Sequence, residues 1–249
     1  MQDKPVALIT GANQGIGLQI AKDLATHGFT VLVGSRNFEK GETAAKSIGA
    51  EAHAVQLDVT DQTSITAAAE RIRNEFGRLD VLVNNAGISH VDKPDGSFPE
   101  SAQSGLLTLA SLDDVRAVFE TNVFGVIAVT QAMLPFLREA SAARIVNIGS
   151  TGGSLTWNSN PTNPHRAMFG TYSSSKTALH AITLAFAFAL ESTGIKVNAV
   201  CPGFTSTALN NFAGTRTVEQ GAHEAVRLAL IGADGPTGTF SDEDGPIPW

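Results

Sequence analysis

Thr10-Gly11-Ala12-Asn13-Gln14-Gly15-Ile16-Gly17 follows directly on the apolar run Val6-Ala7-Leu8-Ile9. Beyond it Ile16, Ile20 and Leu24 recur at four-residue intervals. The first run reads as a buried strand and the second as one face of a helix. Three glycines in the connection let the backbone turn tightly. They also let a ligand approach the helix amino terminus, where free N–H groups and the positive dipole end suit a pyrophosphate. The spacing is G-x-x-x-G-x-G rather than the more familiar G-x-G-x-x-G. A strand-to-helix turn needs a glycine or two in any case, but the position of this one favours a nucleotide. Gly11, Asn13, Gln14, Gly15, Ile16 and Gly17 are therefore candidate cofactor contacts.

The same alternation runs outward along the chain. Strands are predicted at 30–33, 54–57, 79–83, 144–148 and 197–200, and helices at 38–48, 62–76, 113–137, 172–191 and 218–231. The strands are continuously apolar rather than alternating, which suits a sheet buried on both faces. Strand and helix in turn imply right-handed crossovers and a parallel sheet. The expected fold is α/β: a single doubly wound, Rossmann-type domain over residues 1–249, with about seven strands and helices on both faces. Residues 89–110, 151–170 and 204–217 are long for loops in such a fold. Each follows a strand's carboxyl end, where open α/β sheets bind ligands.

Composition removes several classes. The chain has 17 basic and 24 acidic residues, a formal charge of -7, which does not suit nucleic acid. Its one Cys cannot form an internal disulfide, and with six scattered His it offers no metal-ligand spacing. The longest apolar run, 181–190, is well short of the roughly 20 residues a spanning helix needs, so no membrane is expected. The start of the chain does not read as a secretion signal, and a soluble cytoplasmic protein is the expectation. The 24 glycines, against a usual share of about 7%, ask for backbone reasons.

Further candidates lie at strand ends. The second strand closes on Gly34-Ser35-Arg36, where an acid would select NAD through the ribose 2′-OH. Arg36 instead offers a fork suited to a 2′-phosphate, favouring NADP, with NAD less favoured; a plain surface arginine is the other reading. Asp58-Val59 closes the third strand, and Asp58 could take an adenine amino group or cap the following turn. Asn84-Asn85-Ala86-Gly87 follows the fourth strand, where paired amides can tie neighbouring loops.

The reacting group falls on the single tyrosine. Tyr172 and Lys176 lie four apart at the start of a helix and share a face. A phenol of pKa near 10 is a poor acid or base at neutral pH, and a neighbouring ammonium should lower it. Ser150 ends the strand at 144–148 on the ligand side, and Asn122 sits mid-helix, a mediocre place for Asn without a polar role.

Together these pieces, in this order, resemble the short-chain dehydrogenase/reductase family over nearly the whole chain. Thr10–Gly17 looks like its glycine-rich loop, 84–87 like its N-N-A-G element, and Asn122, Ser150, Tyr172 and Lys176 like its catalytic tetrad. Pro202-Gly203 with Thr205 and Thr207 looks like the segment beside the nicotinamide. The resemblance implies cofactor contacts from Asp58, Val59, Asn85, Ala86, Gly87, Tyr172, Lys176, Pro202, Gly203, Thr205 and Thr207. It also implies a carbonyl-reductase-like enzyme that reduces a ketone or aldehyde to an alcohol, reversibly, with NADPH. Tyr172 would donate the proton, Lys176 tune it and hold the ribose, Ser150 orient the substrate oxygen, and Asn122 support Lys176 through a water.

Two features depart from the family pattern. Gln14 stands where NADP members often have Lys or Arg, and the interval from Ser150 to Tyr172 is longer than is usual in tetrameric members. Alternatives are a non-catalytic NADP(H) sensor on the same fold, or an isomerase or dehydratase. The expected partner is a small carbonyl or alcohol compound, partly apolar if Trp157, Phe169, Leu209 and Phe212 line the loops. An alanine stripe at 178, 181, 185 and 189 could face the sheet or a second copy, so monomer and homo-oligomer both stay open.

Overall fold

The computed structural model describes residues 4–90 and 103–249. Part of the 89–110 loop therefore lies outside the described residues. The chain alternates strand and helix: β1 (Val6–Ile9), α1 (Gly15–Thr26), β2 (Thr30–Ser35), α2 (Phe38–Ile48), β3 (Ala52–Gln56), α3 (Gln62–Glu75) and β4 (Val81–Asn84). It continues through α4 (Leu112–Phe119), α5 (Gly125–Leu137), β5 (Arg144–Ile148), α6 (Leu155–Ser159), α7 (Thr171–Ala189), β6 (Lys196–Val200), α8 (Val218–Ala229), β7 (Phe240–Asp242) and β8 (Gly245–Pro246).

The strands form one sheet in the order β3-β2-β1-β4-β5-β6-β7-β8. All neighbours are parallel except β7 and β8. Alternate residues of β1 go to opposite faces. Val6 and Leu8 join Ile65 and Ile72 of α3 and Met133 of α5, while Ala7 and Ile9 join Ile20 and Leu24 of α1 and Leu228 of α8. Both faces are apolar because both are covered, which is why the strands read as unbroken apolar runs.

The strand order reverses at β1, between β2 and β4, and opens a crevice above the carboxyl ends of β1 and β4. Local caps fix the helices around it. Asn37 accepts the Lys40 amide, Asp61 the Thr63 amide, and Thr217 with Gln220 forms a capping box on α8.

The structure corrects the sequence reading in two places and decides a third that the sequence left open. The sheet has eight strands rather than about seven, because Asp242 and Gly245 pair across a tight antiparallel turn too short to leave a periodic signal. The helix expected at 113–137 is interrupted by a π-helical turn at Glu120–Phe124. Two contacts account for the extra residue. Gly125 lies so close to the Val59 carbonyl that a Cβ there would come within 2.8 Å, and the Asn122 side chain turns inward to the segment after β4. The alanine stripe on α7 faces away from the sheet, with Ala181, Ala185 and Ala189 exposed.

The helical run Leu112–Leu137 has 26 residues and is long and apolar enough to cross a membrane. Here its apolar side is the core face, where Val118, Val126, Val129, Met133 and Leu137 are buried.

Candidate active site

The glycine loop is held from across the crevice. The Thr10 hydroxyl accepts the amides of Asn85 and Ala86, both at 3.0 Å. The Asn85 side chain in turn donates to the carbonyls of Thr10 (2.8 Å) and Gly11 (3.2 Å). Gly11 and Gly15 adopt φ of +63° and +59°, the left-handed region that favours glycine. Gly17 has a different reason: a Cβ there would collide with the Asn85 amide. The N-terminus of α1 carries no side-chain cap and no acid in its first turn, which leaves its amides available to an anion.

Beside it, Asn13, Gln14, Leu18, Glu39, Lys40 and Thr43 are among the residues lining a cavity of about 460 Å³. Lys40, a second cation at this end, was missed because it reads as an ordinary helix-surface lysine. Arg36 lies exposed just past β2 and makes no hydrogen bond or ion pair among the described residues. The glycine loop and the open α1 terminus fit a dinucleotide diphosphate.

At Asp58 the turn-capping reading is realised, since Oδ1 accepts both the amide and the hydroxyl of Thr60. Asn84 and Asn85 tie different partners. Asn84, 3% exposed, donates to Asn147 on β5 (2.8 Å) and Thr130 on α5 (3.1 Å), and Asn147 donates to Thr183 on α7. This buried chain of polar groups locks β4, β5, α5 and α7 together.

The tetrad candidates converge at the carboxyl end of β5. The Lys176 Nζ donates to the Ile148 carbonyl at 2.7 Å and lies 5.6 Å from the centre of the Tyr172 ring. The Ser150 hydroxyl accepts the Gly152 amide at 3.1 Å and lies near enough to the Tyr172 phenol to influence its titration. Asn122 brackets Ile88, accepting its amide (2.9 Å) and donating to its carbonyl (2.8 Å), and also donates to Ser175. It makes no direct bond to Lys176; the two meet around Gly87, where a Cβ would lie 3.3 Å from Asn122 Oδ1 and 3.6 Å from Lys176 Nζ.

Burial pushes Lys176 down to about 8. The same cause pushes the Tyr172 phenol up, with Cys201 adding to the rise, while the Ser150 hydroxyl opposes it less strongly. This corrects the sequence expectation of a lowered phenol. The ammonium points its proton at a backbone carbonyl, and desolvation dominates.

The fourth wall is the segment after β6. Gly203 has φ +70° and lies against Arg216, which pairs with Glu243 at 2.5 Å. Thr205 is buried and donates to the Pro202 carbonyl (2.9 Å). Thr207 reaches over Gly15, 3.6 Å from where a Cβ would be. Cys201, which sequence reasoning passed over as a lone cysteine, joins this wall to Ser150's turn. Its Sγ accepts the amides of Thr151 (3.3 Å) and Gly203 (3.4 Å). In the segments that follow β4, β5 and β6, Leu107, Leu109, Leu155, Trp157, Met168, Phe204 and Phe212 are exposed apolar side chains.

A sequence profile described as short chain dehydrogenase matches residues 5–217. The chain belongs to the short-chain dehydrogenase/reductase family. It is 38% identical over 240 residues to a short-chain dehydrogenase, anuI, of Penicillium roqueforti, covering 92% of this chain and 90% of that one. It is 30% identical to salutaridine reductase of Papaver somniferum, covering 95% and 93%. That enzyme's solved structure superposes with a TM-score of 0.80, over 96% of this chain and 100% of the other. A 3-ketoacyl-(acyl-carrier-protein) reductase of Brucella melitensis, solved with NADH, superposes with a TM-score of 0.79 at 28% identity and 98% coverage of both chains. The chain is thus a Rossmann-type, nicotinamide-dependent oxidoreductase of this family.

Proposed function

We propose that the protein is an NADPH-dependent reductase of ketones or aldehydes, with Tyr172 as the proton donor to the carbonyl oxygen. The observation that carries this reading is the meeting of Ser150, Tyr172 and Lys176 at the end of β5, across the crevice from the glycine loop. When bound, the cofactor supplies the hydride. The chain's own groups do the rest. The loop amides and the α1 terminus hold the diphosphate, and Arg36 meets the 2′-phosphate. Ser150 hydrogen-bonds the substrate oxygen beside the phenol. Tyr172 releases its proton to that oxygen as negative charge develops there, and Lys176 stabilises the phenolate left behind. The seven exposed apolar side chains in the segments after β4, β5 and β6 favour an apolar carbonyl compound over a charged one. A soluble, cytoplasmic location accords with NADPH chemistry.

The test is a panel of cyclic ketones, aromatic ketones and aliphatic aldehydes, read by loss of NADPH absorbance. Tyr172→Phe should keep NADPH binding while kcat falls by about 10²–10⁴, the usual worth of a positioned proton donor. Near-normal turnover would remove Tyr172 from that role. For the cofactor, Arg36→Ala should cut kcat/KM with NADPH by about tenfold or more and leave NADH unchanged, the loss of one charge-assisted contact. A wild type preferring NADH would overturn the Arg36 assignment.

A further inference from the structure

His180 is a buried ionisable group with no part in the reaction above. It lies one helical turn past Lys176 and two past Tyr172, on the same side of α7. The residue is 3% exposed. Its ring packs on Phe240 with centroids 4.2 Å apart and meets Trp249 edge-on at 5.5 Å. Two aromatic groups from beyond β6 therefore fix its plane.

What the ring faces is the place where the sheet ladder stops. Gly149 makes the last backbone bond of β5, to the Val200 carbonyl at 2.7 Å. The next two amides find side chains instead. Ser150 N–H donates to His180 Nε2 at 3.5 Å, and Thr151 N–H donates to Cys201 Sγ at 3.3 Å. Gly149 makes room for the ring, since a Cβ there would lie 2.7 Å from Nε2.

Acceptance at Nε2 requires a neutral ring with its proton on Nδ1. Burial, joined by the Lys176 charge, holds the imidazole neutral, down to about 4. The Gly153 carbonyl works the other way but more weakly, and Nδ1 has no hydrogen-bond partner of normal geometry. A polar ring in so apolar a place, with one nitrogen left unpartnered, needs a reason at the other nitrogen.

We propose that His180 is a positioning residue for Ser150: its Nε2 accepts the Ser150 amide, fixes that residue's backbone, and so aims the hydroxyl at the Tyr172 phenol and the substrate oxygen. This rests on the reading of Ser150 as the group that orients the substrate. A histidine serving only as core filler would be replaceable by any ring of its size.

The experiment compares His180→Phe with His180→Gln, alone and in a Ser150→Ala background. The assay uses NADPH and the ketone turned over fastest in the panel above. His180→Phe keeps the ring stack and removes the acceptor; it should lower kcat about tenfold, leave the NADPH Kd unchanged, and speed amide exchange at Ser150. His180→Gln keeps an acceptor and should recover most of the loss. In the Ser150→Ala background His180→Phe should have no further effect, because a group acting through Ser150 is silent once the hydroxyl is gone. Wild-type kcat in His180→Phe, equal losses in Phe and Gln, or additive losses with Ser150→Ala would each overturn the proposal. If His180→Phe does not fold, His180→Gln decides: a tenfold loss at unchanged Tm and NADPH Kd overturns it, and near-wild-type kcat with a protected Ser150 amide supports it. If Ser150→Ala alone turns over normally, the reading of Ser150 itself falls, an outcome visible apart from the His180 result.

Discussion

The crevice above β1 and β4 and the mouth formed by 103–110, 151–170 and 204–217 sit at the same edge of the sheet, yet they are built in opposite ways. At the crevice the groups that shape the glycine loop are committed to one another. Thr10, Asn85 and the backbone of Gly11 bond one another, and Gly17 has no room for a methyl group. At the mouth large apolar side chains stand in solvent, Phe212 at 68% and Trp157 at 49% exposure. The first region is a rigid frame whose geometry a shared cofactor dictates. The second has few internal obligations and is free to vary with the substrate. Changes in the frame should therefore cost stability and cofactor together, and changes at the mouth should cost neither.

Gly17→Val breaks the frame most directly. A Cβ at this position collides with the Asn85 amide and comes within 2.9 Å of the Gly11 carbonyl, so the loop or β4's end must move. The expected loss is roughly 3 kcal/mol of stability by overpacking, with NADPH binding abolished. A folded variant with normal NADPH affinity would show the crevice to be less rigid than its contacts imply.

His180 gives a pH test of the same rigidity, of similar size. Its folded pKa, about 4, lies below the ordinary 6.5. Between those values the unfolded chain binds more protons, so stability is fully present above about pH 6.5 and is lost as pH falls toward 4. The loss is on the order of 3 kcal/mol across that window. His180→Phe should flatten that part of the stability–pH curve; an unchanged slope would assign the acid sensitivity elsewhere. Asn84→Leu should cost somewhat less, about 2 kcal/mol, because it strands the buried Asn147 and Thr130 oxygens that Asn84 now serves. Chemical denaturation checks it, with no loss counting against the buried polar chain as a brace.

The contrast also explains what the sequence could reveal. Gly11, Gly15, Gly17, Asn84 and Asn85 were legible because steric and hydrogen-bond demands leave few residue types able to fill them, and strand periodicity was legible because both sheet faces are buried. The π turn at Asn122 was not legible: it depends on Gly125 meeting the Val59 carbonyl, a contact between residues far apart in sequence. The phenol's direction of shift was misjudged for a related reason. Spacing puts Lys176 near Tyr172, but that Lys176 is buried, and that its Nζ turns to the Ile148 carbonyl, are tertiary facts. Cys201 and His180 carried no motif at all, since their roles lie in which amides they happen to face.

The smallest expected effect is the one that isolates the mouth. Trp157 is the third residue of α6, a short helix that Ser154 caps by accepting the Trp157 amide at 3.1 Å. That bond uses the backbone, so Trp157→Ala leaves the cap in place while removing a half-exposed indole. Stability should change by no more than about 0.5 kcal/mol, as for surface substitutions away from buried contacts. NADPH Kd should be unaltered, because the loop amides and Asn85 lie on the other side of the crevice. KM for an apolar ketone should nevertheless rise by roughly 5–10-fold, the loss of one partial apolar contact, with kcat little changed. A fall in kcat without a rise in KM would mean that Trp157 acts on the turn carrying Ser150 rather than on the substrate. The mouth would then belong to the frame, and the division between the two regions would have to be redrawn at Ser154.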